Sequence, residues 1–137
     1  MAQREIHNKL YPVVAFNTQT ISTDTTTNGN ILDTKDFDAI QFYVTSGTLT
    51  TGTFTVLIQE GDNSGLSDVA NVADADLTTT EADASFAVSD DDEVKRIGYI
   101  GNKRYVRLSI VSASTANGVI GAIAIKGYPH VGKVSGN

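Results

Sequence analysis

The sequence contains no cysteine and no tryptophan, and only two of its 137 residues are proline. Without cysteine the chain has no disulfide framework and no thiolate chemistry. Its longest apolar run, residues 118–125, is far shorter than the roughly 20 residues that span a bilayer as a helix. The first ten residues lack the apolar stretch of a secretory signal. We therefore expect a soluble protein that is made and used without export.

The length of the chain favours one domain. A chain of 137 residues can bury about two-thirds of its unfolded surface, which is enough for a hydrophobic core. We expect a single domain over residues 1–137. Because both ends are polar, residues 1–10 are predicted to form an N-terminal arm and residues 129–137 a C-terminal tail.

Charge is distributed unevenly along the chain. From Asp24 to Glu93 there are fifteen acidic residues and one basic residue, Lys35, whereas from Val94 to Asn137 there are seven basic residues and no acidic one. Either the two parts interleave in one fold and neutralise each other, or they form surfaces of opposite sign that guide association. The net charge of −6 argues against nucleic-acid binding, because the acidic majority repels phosphate.

Four segments alternate apolar and polar residues with the period of a β-strand: residues 38–45, 53–59, 104–111 and 118–129. In the last segment, Val119, Ile123 and Ile125 alternate with small residues. This pattern is typical of a half-buried strand whose larger apolar side chains face the core. Shorter strands are predicted over residues 11–16, 19–22 and 30–32.

Turn signals separate these strands. Ser46-Gly47 and Thr51-Gly52 bracket a predicted loop, and Asn117-Gly118 predicts a hairpin turn. A long acidic loop is expected over residues 62–84, with at most a turn or a short helix inside it. Together these features predict an all-β fold: an antiparallel β-sandwich, jelly-roll-like, with about eight strands.

No group of residues has the composition and spacing of a catalytic site, so we expect neither an enzyme nor a cofactor or metal. His7 and His130 lie near opposite ends of the chain, without partners at ligand spacing. The acidic run Asp90–Glu93 lacks the calcium-loop pattern, and we interpret it as a solvated turn. Calcium binding and pairing with nearby arginines are the alternatives.

Residues 97–110, IGYIGNKRYVRLSI, predict a hairpin that turns at Gly101-Asn102. Its register places Arg96 directly across from Arg107, on the same face as Tyr105. The opposite face supplies four apolar side chains to the core: Ile97, Val106, Leu108 and Ile110.

Two opposed arginines destabilise a strand pair, so this register requires a carboxylate. The carboxylate comes either from Asp90–Glu93 or from a partner protein. In the second case Arg96, Arg107 and Tyr105 form a protein–protein interface, since Arg and Tyr are enriched at such contacts. The N-terminal arm could reach a neighbouring subunit with its larger residues, which are Arg4, Ile6, Leu10 and Tyr11.

Two runs of the sequence resemble a known group of proteins. These are VKRIGYIGNKRYVRLSIVSA, followed by a glycine-rich strand and GYPH, and TFTVLIQEGDNSGLSDV upstream. They resemble small proteins encoded in the structural modules of tailed double-stranded-DNA bacteriophages, and the resemblance covers most of residues 38–130. It implies a virion component, most similar to the capsid decoration, or cement, proteins.

The resemblance sets expectations for function. A decoration protein binds the major capsid protein on the outer surface of the phage head and stabilises the shell. The expected partners are that protein and further copies of the chain, for example in a trimer, with no nucleic acid and no membrane; synthesis is expected in the host cytoplasm. A neck or tail component is the alternative in the same class. A carbohydrate-binding β-sandwich is the alternative from another class, although the chain has no tryptophan for an aromatic platform.

Overall fold

The computed structural model describes residues 6–129, and this part of the chain is built from β-strands. Seven strands form one antiparallel sheet: β1 Leu10–Ile21, β2 Thr26–Asp33, β3 Phe37–Gly61, β4 Ala70–Asn71, β5 Phe86–Ala87, β6 Val94–Tyr99 and β7 Tyr105–Pro129. A 3-10 helix, Asp74–Asp76, lies between β4 and β5. The predicted all-β antiparallel fold is confirmed. Within residues 6–129, no helix has the length and apolar character that crossing a membrane requires.

Strands β3 and β7 are 25 residues long each and pair with each other over their whole length. The predicted loop between residues 46 and 52 and the predicted turn at Asn117-Gly118 are therefore wrong. Both strands instead bend and continue, with register shifts between Ser46 and Thr53. The bend uses left-handed backbone at Gly52, with φ 88°, and at Ser114 and Thr115, with φ 62° and 61°. Four predicted strands thus merge into two, and residues 6–129 contain seven strands where about eight were predicted.

The bend divides the sheet into two leaves. Leaf A consists of β1, residues 118–129 of β7, residues 37–46 of β3, and β6, in that order. Leaf B consists of β2, residues 105–113 of β7, residues 53–61 of β3, and the short strands β4 and β5. Each leaf buries one face in the same hydrophobic cluster. Two sheet layers around one core are consistent with a β-sandwich.

The part of β7 in leaf A turns its small residues toward the core. Ala122 lies across from Phe16 and Val44, and all three are buried. Ala124 likewise lies across from Phe42. The large neighbours fill the space that the alanines leave, so the core is dense without large side chains on this strand. The sequence pattern predicts that Val119, Ile123 and Ile125 face the core. For Ile123 this prediction is wrong, because its side chain points outward and is 43% exposed.

One edge of the sandwich is closed by contacts between β1 and β2. The Asn30 side-chain amide of β2 donates hydrogen bonds to the Val14 carbonyl and to Asn17 Oδ1 of β1, at 3.0 and 3.3 Å. Because β1 belongs to leaf A and β2 to leaf B, these bonds tie the two layers together.

The opposite edge is closed by the acidic loop. Val56 and Ile58 lie on β3 between the residues that pair with β5 and those that pair with β4. The Val56 N–H donates to the Ser85 hydroxyl, and the Ile58 N–H donates to the Glu81 carboxylate. The Thr78 N–H donates to the Gly98 carbonyl of β6, 2.9 Å away. Partial burial raises the pKa of Glu81 above its ordinary value. The predicted acidic loop over residues 62–84 does contain a short helix, Asp74–Asp76, but it also contains the two-residue strand β4, which was not predicted.

Candidate interaction surfaces

The outer face of leaf A carries a row of apolar side chains at its centre, and we call it the apolar face. The strand register places Val14 of β1 beside Ile123 of β7, and Ile123 beside Tyr43 of β3. These three side chains form a row across three strands. The larger side chains of the face, including this row, are Leu10, Val14, Tyr43, Val94, Ile123 and Ile125.

The exposure of the apolar face is larger than isolated surface residues explain. Val14 is 51% exposed, Val94 is 64% exposed and Leu10 is 37% exposed. Single exposed apolar residues are ordinary, but a contiguous patch on a soluble protein marks an interaction site. The apolar face is therefore a candidate contact surface.

Two grooves run along the apolar face, and Tyr43 lines both of them. The first lies toward the start of β1 and is also lined by Leu10, Ile125 and Tyr128. The second is lined by Val14, Val94 and Ile123. Tyr43 thus lies between the two grooves, and the rest of its row, Ile123 and Val14, borders the second groove. We call this row the ridge.

Arg96 borders the apolar face. It lies on β6, directly across from Tyr43, and is exposed. Its side chain forms no hydrogen bond or ion pair with any residue from 6 to 129. The predicted interface residues Arg96 and Leu10 therefore share one surface.

The outer face of leaf B carries a hydrogen-bonded row of polar side chains, and we call it the polar face. A row of side chains crosses it in the order Ile31, Arg107, Gln59 and Asn71. Arg107 donates two hydrogen bonds to Gln59 Oε1, at 3.2 and 2.6 Å. Gln59 Nε2 in turn donates to Asn71 Oδ1. The guanidinium is held in place by a neutral amide, without a carboxylate partner in the described chain.

Tyr105 lies at one end of the polar face, two residues before Arg107 on β7. The Arg104 guanidinium lies over its ring, 5.1 Å from the centroid. The predicted neighbours Arg107 and Tyr105 thus do share a face, although it is not the face that carries Arg96.

The predicted hairpin at Gly101-Asn102 is wrong. Strand β6 pairs with β3 in leaf A, and the first part of β7 pairs with β3 and β2 in leaf B. Residues 100–104 therefore connect the two leaves. The Tyr99 hydroxyl accepts the Lys103 N–H at 3.0 Å, so this connection folds around the Tyr99 side chain. The predicted core residues of this segment are confirmed, since all are fully buried: Ile97, Val106, Leu108 and Ile110.

The acidic run Asp90–Glu93 does not pair with either Arg96 or Arg107, so that proposed source of a carboxylate is wrong. Asp90 accepts the Ala87 N–H and forms an ion pair with Lys95 at 3.3 Å. Asp91 accepts the Leu49 N–H. These carboxylates bind the backbone near the bend of β3 and hold the turn before β6. Across residues 6–129, no cluster of His, Cys, Asp and Glu side chains could hold a metal ion.

The N-terminal residues of the candidate interface divide into three groups. Arg4 lies outside the described residues. Ile6 is exposed and precedes a turn in which the Lys9 N–H donates to its carbonyl. Leu10 and Tyr11 belong to β1, and the Tyr11 ring packs 6.3 Å from the Phe37 ring of its own domain. His7 is exposed, and His130 lies outside the described residues.

Within residues 6–129, three ion pairs connect the acidic and basic parts of the chain: Lys95–Asp90, Lys103–Asp62 and Arg104–Asp33. This agrees with the interleaving of the two parts in one fold. The Arg104–Asp33 pair is bidentate, with both distances 2.9 Å. The hydrogen bonds from Arg104 lower the pKa of Asp33 to about 2.

The Asp33 pair predicts a pH-dependent contribution to stability. Since an unfolded aspartate titrates near pH ~3.9, the contribution is complete above that pH and is lost as the pH falls toward ~2. Asp33→Asn should lower the free energy of unfolding by about 1 kcal/mol at neutral pH, because the half-exposed pair is screened by solvent. Urea unfolding across the acid range measures the difference between variant and wild type. That difference should shrink on acidification.

The largest members of the apolar face were absent from the predicted interface. The predicted strands include Tyr43, Val14 and Ile123 without a surface role, and Val94 lies outside all of them. The available signal was that residues 119–125 are apolar on both sides of the strand, so one apolar side had to face outward.

No protein-family model matches the chain, and no curated protein matches it significantly.

Proposed function

We propose that the chain is a phage virion structural protein that binds the major capsid protein on the outer surface of the head and stabilises the shell. The resemblance of residues 38–130 to small β-rich phage proteins supports this proposal. The structural observation that carries it is that the two outer faces differ in chemistry: that of leaf A has a central apolar row, and that of leaf B has a hydrogen-bonded polar row. A sandwich with two such faces can contact two neighbours at once, as bridging capsid subunits requires.

The polar face is suited to the contact with the shell. Arg107 is partly exposed and is already oriented by Gln59, so less side-chain freedom is lost when it binds. A carboxylate from the shell would add a charge-assisted hydrogen bond to this guanidinium. Ile31 lies beside Arg107 and is 37% exposed, which adds apolar contact area. Arginine next to an apolar side chain is typical of the residues that dominate binding energy.

The closed edges of the sandwich suit a protein that repeats over a lattice. Exposed strand edges promote uncontrolled pairing between copies, and the Asn30 and Glu81 contacts cover backbone at both edges. A single contact with the shell can then be weak, because many contacts on one particle act together.

The proposal is tested with shells that lack the protein. Purified chain should bind to them, raise their resistance to heat or denaturant, and appear in many copies over the head in electron micrographs. Binding confined to a small ring at one vertex would instead indicate a neck or tail component. Failure to bind shells at all would contradict the proposal.

Arg107→Ala should weaken shell binding at least roughly tenfold, as expected for removal of a central arginine. The variant should keep its thermal unfolding temperature nearly unchanged, because Arg107 hydrogen-bonds only to a surface amide among the described residues. Titration of labelled protein against shells measures the affinity. The matched control is Arg96→Ala, which removes an exposed arginine from the other leaf and should leave binding within about threefold. Equal loss in both variants would contradict a specific role for the polar face.

A further inference from the structure

The apolar face has a shape that fits its own copy. Its central ridge consists of Val14, Ile123 and Tyr43, side by side on three neighbouring strands. One groove runs along this ridge, and a second groove lies on the other side of Tyr43. When such a face meets a second copy turned by 180°, each ridge can enter a groove of the other, which is the self-complementarity of an isologous contact.

We propose that the apolar face binds a second copy of this chain and forms a two-fold symmetric dimer. The contact would stack leaf A of one copy on leaf A of the other, with the ridge of each in a groove of its partner. Sheets that pack face to face in this way lie ~10 Å apart and interdigitate their outward side chains.

The size of the face meets the requirement for a dimer. Four strands at ~4.8 Å spacing give a width of roughly 17 Å, and about nine residues at ~3.3 Å give a length of about 30 Å. Each copy would therefore bury roughly 500 Å², and the pair about 1,000 Å², which reaches the lower bound for a specific interface.

The distribution of charge also fits a second copy. The ridge carries no charged side chain, and Arg96 lies at its end on β6. Lys9 and Asp38 line the first groove near the start of β1. An apolar centre with charges at its margin is the usual anatomy of an interface, because it avoids burying charges. Two copies that each carry a net charge of −6 repel each other, and this repulsion is weakest where the contacting faces are near neutral.

This inference does not depend on the proposed function, because it is measured on the purified protein without shells. Analytical ultracentrifugation or light scattering over a broad dilution series should give twice the chain mass of 14.5 kDa at high concentration. A mass that stays at one chain throughout would overturn the proposal, and so would a trimeric mass, since a two-fold contact closes at two copies.

Ile123→Asp should weaken dimerisation on the order of a hundredfold or more, because two unpaired carboxylates would be buried in each dimer. Val14→Asp, on the neighbouring strand, provides a second test if the first variant fails to fold, and thermal unfolding verifies folding for each. The control is Ile31→Asp, which places the same charge at a similarly exposed strand position of leaf B and should leave the dimer intact. A dimer that survives both apolar-face variants would overturn the proposal. The proposal would also be overturned if the wild type were monomeric and Ile123→Asp abolished shell binding. In that case the apolar face would bind the shell.

Discussion

Phe54→Ala is expected to lower the free energy of unfolding by about 4 kcal/mol. Phe54 is fully buried at the bend, where β3 passes from leaf A to leaf B. Its ring lies against Gly118 of β7: a Cβ atom on Gly118 would come within 2.8 Å of Phe54 Cζ and 2.6 Å of Leu49 Cδ2. Alanine would leave a cavity between two strands that are fixed by their own hydrogen bonds, so the site cannot collapse to fill it.

Chemical denaturation should show the Phe54→Ala loss as a lower midpoint with an unchanged slope, and the melting temperature should fall by roughly 10 °C. Phe37→Ala is the matched control, because Phe37 is only partly buried at the far end of β3. Its ring contacts Tyr11 and lies under the Lys126 ammonium, 5.0 Å away. We expect a loss of about 1–2 kcal/mol there. Equal losses in the two variants would contradict a dense core at the bend.

The strand segments could be predicted from sequence because the signal for them is local. Period-2 alternation over residues 38–45, 53–59, 104–111 and 118–129 located four stretches that the structure places in strands. Their connection could not be predicted in the same way. The Thr51-Gly52 and Asn117-Gly118 pairs have turn chemistry, and a bend within a long strand uses the same backbone conformations as a turn between two strands. Only the continuous pairing of β3 with β7 distinguishes the two, and that is a non-local property.

For the candidate surfaces too, local features could be predicted from sequence and the pairing of strands could not. Arg96 and Arg107 were correctly identified as side chains that face away from the core, since alternation fixes the face of a residue within its own strand. Their opposition was wrong because it required β6 to pair with β7, and sequence proximity does not determine the partner of a strand. The orientation of Ile123 was missed for a related reason. Which side of an apolar strand faces inward depends on the volume of its neighbours, here Phe16 and Phe42, from distant parts of the chain.

Gly29→Ala is expected to destabilise the protein by about 3 kcal/mol, at the upper end for overpacking. At Gly29 the backbone of β2 passes against the backbone of both β7 and β1. A Cβ atom at this position would meet the carbonyl oxygens of Leu108 and Ala15 well inside the 3.0 Å that real Cβ atoms keep. Since both neighbours are backbone atoms, β2 itself would have to move. That movement would also break the bond from Asn30 to the Val14 carbonyl, which ties the two leaves at this edge.

Gly65→Ala separates this steric effect from the general effect of replacing glycine. A Cβ on Gly65 would have Asn63 Oδ1 as its nearest neighbour, at 3.6 Å, which is an ordinary contact. Both substitutions restrict the unfolded chain in the same way, which by itself stabilises the folded state slightly. The difference between their unfolding free energies, measured by denaturant titration, therefore isolates the conflict at position 29. Hydrogen exchange should also show faster exchange of the β2 amides in Gly29→Ala. If the two variants were equally stable, β2 could not approach β1 and β7 this closely.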